Sequence, residues 1–501
     1  MKDSSLHPGP PLWLVMLTAA MAGGMGWGIR GQYGHETGAM IAGVLVSLVL
    51  VFLFCPGNSS IRVIRAAALG TIAMGFGGSM TYGQTVGLTH DTPLVGNWEA
   101  LRWGLLGLAI KGGVWIGFAG FFLGLGLGGK RYRIRELLLL VLGLLAAFEV
   151  GCWLLNSPHD PENRRLPLLY FSDHWHWEPS VELKHRLEVW GGLWCALVTA
   201  LLYAALGKKD ILARNLALWG ILGGALGFPL GQALQAANAW NPGFFNESFI
   251  GVFTRHFNWW NIMETTFGTV MGAVLGLGLW LNRRRIGVSS EPDSSPLPFW
   301  PACGLLGVHL FLLLAVEFSD FSWIDPVYDL GLMMGLIPLV ACVRGRWWPY
   351  LQLLPLTLLP IAGKTLRMLV YQSGDPVSPA VGWIVFFILP LALAAALATR
   401  FLRKAKPAGG HPSFTRAALL FNVWMYFGLN FAFFGYPLPW REWTGRTPNA
   451  VLFFIAAALL TLTALFFDPG ERRWTWRFRG KSRDGTVIPG RDVSRPDREV
   501  E

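Results

Sequence analysis

Charge is scarce in this 501-residue chain, at 14% of residues, while 53% are hydrophobic. So much apolar surface cannot be hidden in a water-soluble core, and lipid is the expected solvent. Cysteine is scarce too. The five present, Cys55, Cys152, Cys195, Cys303 and Cys342, lie in or beside apolar runs and never as Cys-x-x-Cys, which argues against a disulfide framework or a zinc ribbon. No Walker loop, Gly-x-Ser-x-Gly elbow or dinucleotide fingerprint occurs in a strand-to-helix context. ATP-driven transport by this chain alone, serine hydrolysis and nicotinamide chemistry therefore gain no support, and no cofactor is expected. Alternating segments of about 10 residues, the mark of a membrane barrel, are missing as well.

What remains is a series of continuous apolar runs, such as 38–55, 137–155, 379–399 and 450–467. Each approaches the roughly 20 residues that a helix needs to cross hydrocarbon. The expected fold is an all-α polytopic transmembrane bundle. Fourteen spans can be laid out, at approximately 12–29, 38–55, 66–83, 101–128, 136–155, 188–206, 214–233, 261–281, 298–316, 327–343, 350–371, 379–399, 417–435 and 449–467. The first run follows Lys2 and contains Ala20-Met21-Ala22, but nothing else there has the form of a processing region, so it is taken as a retained span.

The net charge of +11 would suggest nucleic acid in a soluble protein. Here it reports topology, because the basic residues sit in alternate short loops. Loops after every second span hold Arg62 and Arg65, then Lys130 to Arg135, Lys208 to Arg214, Arg283 to Arg285, Arg344 and Arg346, and Arg400 to Arg416, nineteen basic residues in all. The intervening loops hold eight. Both termini are thus expected in the cytoplasm, in a plasma (inner) membrane. Seven of the ten histidines then fall toward the outer side: His35, His90, His159, His174, His176, His185 and His256. The stretch from Val288 to Pro296 has linker composition. It divides the chain into an eight-span lobe (1–285), a linker (286–297) and a six-span lobe (298–467), followed by a basic tail (468–501) expected to be disordered.

Repetition marks the first lobe. Gly23-x7-Gly31-Gln32, Gly75-x7-Gly83-Gln84 and Gly223-x7-Gly231-Gln232 each close the first helix of a hairpin. The later two are followed by Asn97-Trp98 and Asn258-Trp259, and then by Leu-Gly-Leu-Gly-Leu endings, which suggests same-direction hairpin duplication. Glycine steps at Gly220, Gly224, Gly227 and Gly231, at Gly268, Gly272 and Gly276, and at Gly120, Gly124 and Gly128 serve close helix packing first, and a sliding or unwound solute path second.

Several polar groups are candidates for chemistry. Arg30-Gly-Gln-Tyr-Gly-His-Glu-Thr37 is the densest polar link between two apolar spans. Arg30, Gln32, Gln84, Gln232, Asn258 and Glu264 are candidates to bind substrate, because amides at glycine-rich helix ends offer donors and acceptors to a polar ligand. Lys111, Glu149 and Lys364 lie within expected spans, where an isolated charge must pair or face water, and are candidates for ion coupling. Glu317, Asp320, Asp325 and Asp329, opposite Lys364 and Arg367, form an acidic mouth in the second lobe. His174 and His176 form a His-x-His between carboxylates, but an aromatic-rich interfacial cap accounts for that loop better than a metal centre.

Two functions compete, with a membrane sensor or scaffold as the alternative to both. The first is a secondary, ion-coupled transporter for a small polar or anionic solute. The second is an integral-membrane transferase or hydrolase acting on a lipid-linked or glycan substrate at the outer face, with Glu36, Asp91 or Glu99 as base and His35 or His90 assisting. The expected partners are the lipid bilayer and one of these substrates, with no nucleic acid.

Overall fold

The structure, a computed structural model, describes residues 9–34, 36–56, 61–76, 82–130, 132, 134–172, 186–287, 298–324, 327, 335–374, 376–404, 413–471 and 473–474. It is a polytopic all-α bundle. Its helices are α1 (Leu12–Arg30), α2 (Glu36–Phe54), α3 (Ile61–Phe76), α4 (Gly83–His90), α5 (Trp98–Leu127), α6 (Ile134–Leu155), α7 (Trp190–Lys208), α8 (Ile211–Trp240), α9 (Pro242–Glu247), α10 (Gly251–Thr254), α11 (Trp259–Asn282), α12 (Phe299–Phe318), α13 (Ile337–Arg344), α14 (Trp348–Gln372), α15 (Pro379–Arg403), α16 (Ser413–Phe433) and α17 (Thr447–Phe466). A two-residue antiparallel pairing, Phe467–Asp468 with Arg473–Trp474, follows α17.

Among the described residues, eleven helices are long and apolar enough to cross a membrane. The other expected spans, near 66–83, 327–343 and 417–435, correspond to α3, α13 and α16. The first two are only 16 and 8 residues long as described, and α16 carries Arg416, Asn422 and Asn430 along its length.

The centre of the bundle is built by backbone approaching backbone. Helices α5 and α8 run together along most of their length, and α11 packs against both α8 and α1. A β-carbon at Gly224 would overlap the carbonyl oxygen of Gly112, one at Gly23 would overlap that of Gly268, and one at Gly231 would overlap that of Met263. The glycine steps therefore serve close packing, where dispersion contacts replace a hydrophobic drive that lipid cannot supply. Helices α16 and α17 pack on α2 and α1, so segments on either side of residues 288–297 share one bundle.

Helix ends follow local chemistry. The side chains of Asn97, Asp210 and Asn258 accept backbone N–H groups in the first turns of α5, α8 and α11, satisfying donors that a helix start leaves open. Pro355 and Pro360 lie inside α14, which widens into π-helical turns at Gln352–Leu356 and Met368–Gln372. A proline lacks the N–H needed to keep the ordinary α ladder.

Candidate functional site

The end of the bundle where α1 finishes and α11 begins holds a cluster of buried charged and polar groups. Arg30, in the last turn of α1, is 2% exposed, and its guanidinium nitrogen lies 2.7 Å from Oε1 of Glu264, which is 5% exposed on α11. The same nitrogen donates to the hydroxyl of Tyr82. Three rings flank the cation, with centroids 4.9 Å (Tyr82), 5.3 Å (Trp27) and 5.6 Å (Trp115) from the guanidinium carbon. Ring faces favour a cation where water is excluded. Deeper along the bundle, Trp27 meets Trp115 edge-on at 4.8 Å, and Phe267 stacks on Phe228 at 4.7 Å. These rings close the bundle beneath the ion pair. Gly31 and Gly38 leave the room the pair needs: a β-carbon at Gly31 would lie 2.6 Å from Oε2 of Glu264, and one at Gly38 would lie 2.8 Å from Cγ of Arg30.

A second guanidinium joins from α17. Arg446 donates to Oδ1 of Asn261, whose amide nitrogen in turn donates to the Gly28 carbonyl at 2.9 Å. The Gln32 amide sits between the Ile29 carbonyl at 3.1 Å and Arg446 at 3.3 Å. The guanidinium carbon of Arg446 is 4.2 Å from the centroid of Phe434. A cleft continues past Arg446, lined by Asn261, Asn430, Asn449, Phe427, Phe431, Phe434, Pro437 and Phe453.

Helix α14 reaches the same end. Lys364 donates to the backbone oxygen of Tyr33 at 3.1 Å, and the Tyr33 hydroxyl lies 3.1 Å from that of Thr365. Arg367 is 3.7 Å from Glu317, which is 2% exposed. Thus Lys364 and Glu317 fall in one neighbourhood beside the Arg30 turn.

A separate, closed network surrounds Lys111. Its ammonium donates to Thr85 at 2.8 Å, Ser172 at 2.9 Å and Glu188 at 2.6 Å. Glu188 also accepts from the Ser172 hydroxyl at 2.5 Å and the Phe171 amide at 2.8 Å. Nearby, Gln232 donates to Thr89 at 2.6 Å, and the Trp240 indole donates to the Thr89 carbonyl at 2.9 Å.

The structure therefore brings together Arg30, Gln32 and Glu264, with Lys364 alongside, and assigns other candidates to separate positions. Asn258 caps α11 by accepting from the Asn261 amide at 3.1 Å. Gln84 lies half-buried in the first turn of α4, and Gln232 joins the Thr89 network. Glu149 is exposed on α6, and Glu99 is exposed in the first turn of α5. His90 lies 2.9 Å from the Val86 carbonyl, 3.4 Å from Gln235 and 3.9 Å from Asp91. His35, His174, His176, Asp325, Asp329 and the side chain of Glu36 lie outside the described residues. Among the described residues, no three His, Cys, Asp or Glu side chains gather as a metal-binding group.

Sequence reasoning missed Tyr82, Glu188, Asn261, Arg446, Asn430 and Asn449. Glu188 is the first residue of an expected span, 188–206, where a charge is ordinary. Arg446 stands in a loop between two apolar spans, where a basic residue is ordinary. A usable signal was the second asparagine of Asn258-x-x-Asn261, one turn further into the helix than the cap. Compared with known protein families and with curated protein sequences, the chain matches none.

Proposed function

We propose that this protein is a secondary carrier for a small anionic or polar solute, which engages the end of the bundle where Arg30, Glu264, Asn261 and Arg446 meet. One observation carries this reading. Arg446 reaches the buried Arg30–Glu264 cluster through Asn261, yet no carboxylate lies within ion-pair distance of it among the described residues. A cation held on neutral partners beside a buried ion pair is the complement of a solute anion. Lys364, on the Tyr33 backbone next to Glu317, is the candidate for coupling to an ion gradient. The fourteen-span count, the duplicated hairpins, the cytoplasmic termini and the inner-membrane location belong to the same proposal, which puts the Arg30 end on the outer side.

Uptake by proteoliposomes tests it. Under a proton or sodium gradient, small carboxylates or phosphates accumulate in wild-type vesicles, and Arg446→Gln or Glu264→Gln reduces uptake at least tenfold with the protein still folded. Gradient-independent vesicles with no accumulation of any anion would sink the carrier.

A second reading rests on a different observation. The packed rings of Trp27, Trp115, Phe228 and Phe267, followed by interlocked glycines, lie next to the Arg30–Glu264 cluster and leave no polar side chain among them. That arrangement suits a transferase or hydrolase working from one face on a lipid-linked substrate. Turnover of such a donor without solute flux would select it.

A further inference from the structure

The cleft beside Arg446 differs from the ion-pair cluster in having a polar floor and an apolar mouth. Asn261, Asn430, Asn449 and Phe453 are buried at its floor, while Phe427, Phe431, Phe434 and Ala450 are half-buried at the flank of α16 and α17. The floor is chemically unfinished. Asn449 is 2% exposed and, among the described residues, neither atom of its amide has a hydrogen-bond partner. The Nδ2 of Asn430 likewise has no hydrogen-bond partner among the described residues. A buried amide without partners is destabilising until a water, ion or ligand completes it. Arg446 adds a guanidinium whose contacts are the neutral Asn261, Gln32 and Phe434.

We infer that this cleft binds the head of a single-chain anionic amphiphile, a long-chain carboxylate, entering from the flank of the bundle. The carboxylate accepts from Arg446, Asn449 Nδ2 and Asn430 Nδ2, and its chain leaves across Phe427, Phe431 and Phe434 into the bilayer. Depth agrees with this placement, because Phe427, Asn430 and Phe431 fall in the last two turns of α16 and Asn449, Ala450 and Phe453 in the first two of α17, near the boundary of an apolar span. The space between floor and mouth holds about one water-sized group, so an entering carboxylate displaces that water and parts the phenylalanines at the mouth. That suits a small head group arriving sideways and excludes a bulky polar solute. The inference goes beyond the carrier reading, since the amphiphile need not cross the membrane.

Displacement of a fluorescent fatty acid from the protein in phosphatidylcholine nanodiscs provides the test, with oleate, oleyl alcohol and acetate as competitors. Oleate competes saturably, oleyl alcohol competes roughly tenfold more weakly or worse, and acetate has no effect, because the head needs the cation and the chain needs the phenylalanines. Asn449→Leu lowers oleate affinity about tenfold. It also raises the thermal stability of the unliganded protein, since it removes two unmatched polar atoms without breaking a hydrogen bond. Arg446→Gln abolishes the preference for oleate over the alcohol, and Arg446→Lys keeps it. Equal competition by oleate and oleyl alcohol in the wild type, competition by acetate at oleate concentrations, or unchanged affinity in Asn449→Leu overturns the inference. Oleate binding without solute uptake retains the cleft and removes the carrier, whereas uptake without oleate binding does the reverse.

Discussion

Two cation–carboxylate pairs are buried at the same end of this bundle, and they are finished differently. Lys111 and Glu188 close on themselves: Thr85, Ser172 and Glu188 take the ammonium's donors, and the carboxylate accepts further bonds from Ser172 and Phe171. Arg30 and Glu264 instead border a second guanidinium and a cleft in which, among the described residues, the Asn449 amide and the Asn430 Nδ2 lack partners. Both are a buried cation on a carboxylate. The difference is completeness, and it separates a clamp that joins α4, α5 and the approach to α7 from a place where something can still bind.

The largest effect that would test this contrast comes from opening the clamp. Glu188→Ala strands a buried ammonium and lowers unfolding free energy by about 3–5 kcal/mol, whereas Lys111→Met combined with Glu188→Leu recovers most of the loss. Thermal unfolding in nanodiscs measures both. A cost below about 1 kcal/mol for Glu188→Ala would show that the network is no clamp. The open pair should respond in function instead. Glu264→Gln weakens solute binding by about 1.5–3 kcal/mol, read by ligand titration, while oleate binding at the neighbouring cleft changes less. Gly224→Ala puts a methyl group against the Gly112 carbonyl and costs about 1–3 kcal/mol in thermal stability, with solute affinity per folded molecule retained. Loss of affinity without loss of stability would instead mark this helix contact as a sliding surface.

The smallest effect lies at the opposite end, where Asp210 caps α8 and accepts from the Tyr132 hydroxyl at 3.1 Å. Burial raises the Asp210 pKa above its ordinary value, against the opposing pull of the Ala213 amide and Tyr132. The native state therefore holds that proton more tightly than the unfolded chain does. Stability from this group falls as pH climbs from the ordinary aspartate range through the raised value, and is level above it. Asp210→Asn keeps the cap, removes that slope and changes stability by less than about 1 kcal/mol. A pH series of unfolding midpoints for the two proteins checks the sign; a slope rising with pH would reverse it.

Much of the fold was legible because lipid imposes a simple rule on each segment separately. A run such as 38–55 or 379–399 is long enough and apolar enough to become a spanning helix wherever its neighbours lie. Half of the candidate site was legible for the same local reason: Arg30, Glu264 and Lys364 are conspicuous where hydrocarbon tolerates few charges. Glu188, Asn261 and Arg446 were not, because each sits at a span edge, where a polar residue is ordinary. Asn430 and Asn449 gained meaning only when α16 and α17 placed their amides at one cleft, the Asn449 amide and the Asn430 Nδ2 without a partner among the described residues.

By itself the sequence determined that this is a many-helix membrane protein, since apolar length and scarce charge are properties of each segment and need no neighbours to act. Which charges became a sealed clamp and which stayed open was decided by tertiary structure alone. Pairing depends on which helix faces which, and residues as far apart as 30 and 264, or 111 and 188, meet only after glycine-lined backbones have locked the bundle together.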